Sequence, residues 1–403
     1  VPTLTTADVL ARLPLRDDLR GRTPYGAPQL DVAVRLNTNE NSYDVPPQVA
    51  QAVVDAVREQ VTGLNRYPDR EFTALREDLA EYLGHDLAAE QIWAGNGSNE
   101  VLQHVIQAFA GPGRTALGFT PAYSMHPIIS IGAGTGWVDG LRGTEHDPFD
   151  LTPEHAVEQI KTHDPDIVFL CSPNNPTGTA LGLDAVRAAY DATRGIVVVD
   201  EAYAEFARPG TSSALTLLPG RERLIVTRTM SKAFALAGAR LGYLAADPAV
   251  CDALRLVRMP YHLSSLTQAA ARAALWHADV LLSTVEAIKE QRDRIVAALA
   301  ALGLSPVPSD ANFVLFGGLG DEKAVWRGLL SRQVLIRDVG IPHHLRVTAG
   351  TPAETTAFLR ALSDTLADPA LGTVALGDTA GLQDAVGLQD AAARQDTTPE
   401  EIR

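Results

Sequence analysis

The residues able to do covalent chemistry lie in four short segments of this 403-residue chain. Ser231 and Lys232 follow the apolar run RLIVTRT, the stretch AFALAGA follows them, and Arg240 comes eight residues after the lysine. Such a setting strips water from the amine and lowers its pKa, which makes the neutral nucleophile available for Schiff-base chemistry. Asp200 ends the run IVVVD, with Glu201 beside it and Tyr203 three residues on. A carboxylate leaving a buried strand needs a partner, and either a bound cationic group or a structural cap or ion pair would serve. In CSPNNPTG, at 171–178, the Asn175 amide could both donate and accept at a strand end, although Pro-Asn segments also make ordinary turns. GNGSNE, at 95–100, opens an apolar-periodic helix, where Gly97 and Ser98 would bring backbone N–H groups to an anion. The third glycine of a dinucleotide fingerprint would fall at Glu100, so a single phosphate fits better, and an ordinary turn capped by Ser98 or Asn99 is the alternative.

These segments must be held by strands alternating with helices. QAVVDAVREQV, FTALREDLAEYL and NEVLQHVIQAFA have helical periods, whereas QIWA, DIVFL, IVVVD and RLIVTRT read as strands. IVVVD is apolar on both faces, as a central strand covered on both sides requires. The pattern predicts an α/β fold with a mainly parallel sheet. After about residue 260 come Ala-rich helices, the strand candidates NFVLF, VLIRDV and LRVTAG, and a helix near TPAETTAFLRALSDTLA. The expected division is an irregular N-terminal arm with one short helix at 1–35, a large domain at 36–255, a smaller C-terminal α/β domain at 256–367 and a disordered tail at 368–403. The tail carries GLQDA twice, too little repetition for a solenoid.

With 34 basic against 49 acidic residues the formal charge is -15, so the molecule repels polyanions and nucleic acid is excluded as an expected partner. No apolar run approaches the roughly 20 residues of a membrane span and the first residues lack signal-peptide order, which predicts no membrane association and a cytoplasmic protein. Two cysteines, Cys171 and Cys251, support neither a disulfide framework nor a zinc site. No metal is expected; His343-His344 reads as a turn, and Trp276, Trp326 and Cys171 as packing residues. RLVR at 255–258 reads as a solvated or interface face.

GSNE, NPTG, DEAY and SKAF…GARLG, in that order, resemble the fold-type I aminotransferases that use pyridoxal 5'-phosphate (PLP). Within them, LRGRTPYGAPQ, LNTNENSY, NRYPD, GFTPAYSMHPII and LIRDVGIP are similar to the actinobacterial histidinol-phosphate aminotransferases, a likeness that covers about residues 10–365. The resemblance implies that Lys232 bonds the PLP aldehyde and shuttles a proton, and that Asp200 keeps the pyridine nitrogen protonated. By the same likeness Asn175 and Tyr203 bond the ring's phenolic oxygen and Tyr123 stacks on the ring. The phosphate would rest on Gly97, Ser98, Thr229, Ser231 and Arg240, with Tyr67 reaching it from a second subunit, hence a homodimer, and Asn99 would also bind the cofactor. Arg346 would clamp an amino-acid carboxylate, and Arg337, Tyr25 and Asn39 would surround the substrate's distal end. The implied reaction passes an amino group between histidinol phosphate and 2-oxoglutarate, giving imidazole-acetol phosphate and glutamate in histidine biosynthesis. An aromatic amino-acid aminotransferase is the nearest alternative; a PLP decarboxylase and a PLP-binding regulator lie further off. GSNE in place of the commoner GSDE, and Ser42-Tyr43 where a proline is frequent, depart from the pattern.

Overall fold

Strands buried at every position can only be satisfied between layers of helices, and four of them form the centre of this molecule. A computed structural model describes residues 6–143 and 147–368; the predicted tail, apart from Asp368, lies outside the described residues. The strands are β1 (Val34–Arg35), β2 (Ile92–Gly95), β3 (Thr115–Thr120), β4 (Gly136–Leu141), β5 (Ile167–Cys171), β6 (Ile196–Asp200), β7 (Leu224–Thr229), β8 (Gly242–Ala246), β9 (Ser305–Pro306), β10 (Phe313–Gly317), β11 (Val334–Leu335) and β12 (Leu345–Thr348). The helices are α1 (Thr6–Arg12), α2 (Pro47–Val61), α3 (Thr73–Leu83), α4 (Ser98–Phe109), α5 (Met125–Gly132), α6 (Pro153–His163), α7 (Leu183–Ala192), α8 (Pro248–Arg255), α9 (Ser265–Leu275), α10 (Ala278–Ala301), α11 (Glu322–Ser331) and α12 (Pro352–Leu366).

Seven strands make one sheet in the order β2-β8-β7-β6-β5-β3-β4, parallel except for β8, which runs against both neighbours. Every residue of β5 to β8 is buried. The predicted α/β class with a mainly parallel, helix-flanked sheet is what is found. Sequence periodicity does not reveal β3, β4 or β8, because β3 and β4 carry glycines and β4 is a largely exposed edge. Gly118 in β3 has a local reason: a Cβ there would sit 2.4 Å from the Trp137 ring on β4.

A second sheet, β12-β10-β9, is antiparallel and packs with α10. Helix α12 starts with a reciprocal cap, in which the Thr351 hydroxyl accepts from Glu354 N and the Glu354 carboxylate accepts from Thr351 N at 2.8 Å. Residues 34–36 join this second unit: β1 pairs in parallel with β11, Leu36 N donates to Leu335 O at 2.8 Å, and Thr348 N donates to Leu36 O at 3.0 Å. Helix α9, in contrast, packs on α2 and α3. The arm is tied to the end of α5 by Arg16, which donates to Gly132 O at 3.0 Å and Ile131 O at 3.2 Å.

His343 and His344 form a turn, with Nδ1 of each ring bonded to a nearby carbonyl, and among the described residues no group of His, Cys, Asp and Glu could hold a metal. Among the same residues no helix is long and apolar enough to cross a membrane. Trp276 is not a packing residue: it caps α9 with 61% of its surface exposed, under the Arg272 guanidinium, because the helix ends before its apolar face reaches the tryptophan.

Candidate active site

One cavity of about 1730 Å³ opens at the carboxyl ends of the parallel strands, where a doubly wound sheet leaves a crevice. Lys232, Asp200, Tyr203, Asn175, Tyr123, Asn99, Ser98, Thr229, Ser231, Arg240, Arg337, Arg346, Asn39 and Tyr25 all line it. Of the residues that the resemblance assigns to cofactor or substrate, Gly97 and Tyr67 do not. Gly97 lies directly behind Arg240. Tyr67 is 80% exposed on another face, its ring stacked 4.5 Å from that of Tyr261.

The amine stands at the centre. Lys232 Nζ donates to Thr38 O at 3.0 Å. Burial pushes its pKa down to about 8, Arg346 and Arg240 push the same way, and Glu40 opposes them. A useful share of the amine is therefore neutral near pH 7 to 8, as the apolar sequence around it predicts.

Asp200, at the end of β6, is buried and held on both oxygens. Thr227 Oγ1 donates to Oδ1 at 3.2 Å, Ala202 N donates to the same oxygen at 3.2 Å, and His126 Nε2 lies 3.1 Å from Oδ2. The sequence reading missed His126. Its ring is stacked 4.6 Å from Phe169 and set edge-on to Tyr123, and its other nitrogen, Nδ1, is buried without a partner. The available signal was its position one helical turn after Tyr123. Glu201, beside Asp200, turns away into a structural pair with Arg228 at 2.8 Å.

An amide and phenol group flanks the aspartate. The Tyr203 hydroxyl accepts from Asn39 Nδ2 at 3.0 Å and from Asn175 Nδ2 at 3.4 Å, and burial raises its pKa well above the ordinary phenol value. Tyr123 donates to Asn99 Oδ1 at 3.3 Å, which joins two residues of the cavity wall. Asn39 faces Tyr203 as well as the cavity.

Two arginine centres lie beside the amine. In the first, Arg240 donates to Ser231 Oγ at 3.4 Å, Thr229 donates to the same oxygen at 3.0 Å, and the N-terminus of α4 begins at Ser98. The packing here excludes side chains: a Cβ on Gly97 would fall 2.3 Å from Arg240 Nη2, and one on Gly242 would fall 2.0 Å from Ser98 N. Glu100 accepts from Asn96 N at 2.5 Å and Asn96 Nδ2 at 2.8 Å, bracing the loop where a dinucleotide site would need glycine. In the second centre, Arg346 donates to Asn175 Oδ1 at 2.5 Å and Asn37 O at 2.8 Å, and its buried Nε has no partner. Arg346, on β12, and Arg337, two residues after β11, exchange backbone hydrogen bonds at 2.9 and 3.0 Å, and both side chains line the same cavity. Burial and the Arg337 charge lower the Arg346 pKa to about 10.

An amine, a fixed carboxylate and two separate anion sites on one cavity suit a phosphorylated carbonyl cofactor and an anionic substrate. The profile of the family "Aminotransferase class I and II" matches residues 31–362. A curated histidinol-phosphate aminotransferase of Paenarthrobacter aurescens is 63% identical over 356 residues, covering 88% of this chain and 95% of that protein. One from Thermobifida fusca is 59% identical, covering 87% and 95%. Among solved structures, the histidinol-phosphate aminotransferase of Sinorhizobium meliloti in complex with pyridoxal-5'-phosphate is similar with a TM-score of 0.73 at 27% identity, over 83% of this chain and 91% of that one. An aspartate aminotransferase from Thermus thermophilus shares the fold at a TM-score of 0.72 and 24% identity, over 87% and 99%.

Proposed function

This chain belongs to the class I and II aminotransferases, and we propose that the amino group it moves is that of histidinol phosphate, passed to 2-oxoglutarate. The observation that carries this reading is the pair of arginine centres beside Lys232: one site for the cofactor's phosphate, the other for the anion of each substrate in turn. The cofactor is PLP, and the residues present fit it. The space in front of Gly97 and Gly242 is closed to side chains, and the Arg240, Ser231 and Thr229 donors converge on the α4 N-terminus.

When bound, PLP supplies an aldehyde for amine exchange and a ring that accepts electrons from the substrate carbon. The protein's own groups do the rest. Asp200, oriented by Thr227, Ala202 N and His126, would hold a proton on the pyridine nitrogen. Tyr203 and Asn175 would hydrogen-bond the cofactor's phenolic oxygen, and Tyr123 would cover its ring. Lys232 Nζ would be the base that moves the proton of the substrate carbon bearing the amine. Arg346 grips the carboxylate of glutamate in a planar fork, using its partnerless Nε, while Arg337 and Tyr25 receive the phosphate of histidinol phosphate.

A cytoplasmic homodimer is part of the same reading. Support for the dimer comes from the apolar surface around Tyr67: Leu256 is 87% exposed and Met259 74%, on the segment that leads to Tyr261. Arg255 and Arg258 of that segment both pair with Glu71, which stiffens the face. In a twofold pair Tyr67 would reach the neighbouring cofactor phosphate.

The PLP-loaded protein should use histidinol phosphate at least about a hundredfold better, in kcat/KM, than phenylalanine, because a phosphate makes charge-assisted bonds with Arg337 that an aromatic ring cannot replace. Borohydride should fix the cofactor to Lys232. A preference for phenylalanine would turn the assignment to an aromatic aminotransferase.

A further inference from the structure

Three consecutive carbonyls in the segment that follows β1 serve three different functional groups. Asn37 O accepts from Arg346 Nη2 at 2.8 Å, Thr38 O accepts from Lys232 Nζ at 3.0 Å, and Asn39 O accepts from Asn312 Nδ2 at 3.1 Å. Extended backbone points successive carbonyls to opposite sides. Here the chain turns instead: Asn39 has φ of 54°, the left-handed region that asparagine enters more readily than most residues but still at a cost.

One side chain holds that turn closed. The buried Thr348 hydroxyl, at the end of β12, accepts from Asn39 N at 3.1 Å and donates to Asn39 Oδ1 at 3.1 Å. Asn39 Nδ2 is then aimed at the Tyr203 hydroxyl at 3.0 Å. Thr348 N donates to Leu36 O at 3.0 Å, so one residue ties the segment on both sides of the carbonyls. Thr348 lies two residues after Arg346 and is absent from the cavity wall.

We propose that Thr348 is a positioning residue of the amine-transfer site: its hydroxyl locks the turn at Asn39, and that turn aims the Thr38 carbonyl at Lys232. The inference rests on the reading of Lys232 as the reacting amine. A lysine displaced from the cofactor in each turnover needs an acceptor that keeps its Nζ close and oriented until it moves the proton, and Thr38 O is that acceptor. The same turn fixes the Asn37 carbonyl on Arg346, so the amine and the anion fork are set by one local geometry.

Thr348→Val keeps the shape and removes the two hydroxyl bonds. In the apoprotein, labelling of Lys232 by trinitrobenzenesulfonate at pH 7, read by peptide mapping, should rise about 3- to 10-fold, because an ammonium that loses its acceptor gives up its proton more easily. In the PLP-loaded enzyme kcat should fall about 5- to 10-fold with KM changed less than about twofold, the scale of one buried hydrogen bond. Thr348→Ser should restore both readouts. Wild-type labelling and kcat in Thr348→Val, or equal damage in Thr348→Ser, would overturn the proposal. If Thr348→Val does not fold, Asn39→Gly, which tolerates the positive φ but loses the side-chain braces, should show the same rise in labelling; wild-type labelling there also overturns it. Borohydride labelling of a lysine other than Lys232 would bring down the site reading and this inference together, whereas a Lys232 label with an unaltered Thr348→Val brings down this inference alone.

Discussion

At the scale of single residues, the site separates charge that is fixed from charge that is exchanged. Asp200 has each oxygen engaged, so its carboxylate is preorganised rather than recruited. Asp200→Asn retains hydrogen bonding but not the charge, and the half-reaction rates should drop roughly 10- to 100-fold, the scale of a charge-assisted bond expressed in the transition state; near-normal stopped-flow rates would remove it from the mechanism. The two arginines should separate by substrate. Histidinol phosphate has no carboxylate, so Arg346→Ala should damage the glutamate half-reaction more, and Arg337→Ala the histidinol phosphate one, each by at least about tenfold. Equal losses for all substrates in both variants would mean the arginines act as one electrostatic unit.

At the scale of elements, β8 and α4 meet without room for a methyl group. Gly242→Ala places a Cβ against the backbone at Ser98, which no rotamer relieves. It should cost about 1–3 kcal/mol of stability, and cofactor affinity should weaken with it; an unchanged melting temperature and PLP titration would show that the elements can part freely. Helix α4 also carries His104, 5% exposed, whose Nδ1 accepts from Trp93 Nε1 at 3.2 Å, and burial holds its pKa down to about 4. His262, packed against it with rings 5.4 Å apart, is lowered too. A histidine whose folded pKa lies below its unfolded value binds fewer protons when folded, so stability is full above about pH 6.5 and declines as pH falls toward 4. The decline attributable to His104 should be on the order of 2 kcal/mol. His104→Gln keeps an acceptor for Trp93 but does not titrate, and its unfolding free energy should fall less steeply over that range; an equally steep profile would place the acid sensitivity elsewhere.

At the scale of the whole molecule, the cavity is lined by parts distant in sequence: the arm through Tyr25, the end of β6, the loop after β7, Arg337 just after β11 and Arg346 on β12. Only Tyr67 is turned outward. If it completes a neighbour's phosphate site, mixing inactive Tyr67→Ala with inactive Lys232→Ala subunits should restore activity to a fraction of the sites, because one site in each mixed pair has both residues intact. No recovery after demonstrated subunit exchange would confine Tyr67 to its own chain.

Much of this protein was written locally. Lys232, Asp200, Asn175 and Gly97 stand at the ends of apolar strands or the start of a helix, where periodicity and turn chemistry place a residue within one element of its neighbours. That is why the central strands β5 to β7 and the candidate amine and carboxylate at their ends were legible from spacing, while the roles proposed for them came from the family resemblance. What only the tertiary structure decided are the contacts between remote elements: His126 on Asp200, Asn39 on Tyr203, Thr348 on Asn39, and Arg337 bridged to Arg346 on β12. Asn39 and Thr348 are 309 residues apart in the chain. Nothing in the type or spacing of either residue specifies the other, because a hydrogen bond of that span exists only after the sheets have packed and brought β1 between β11 and β12.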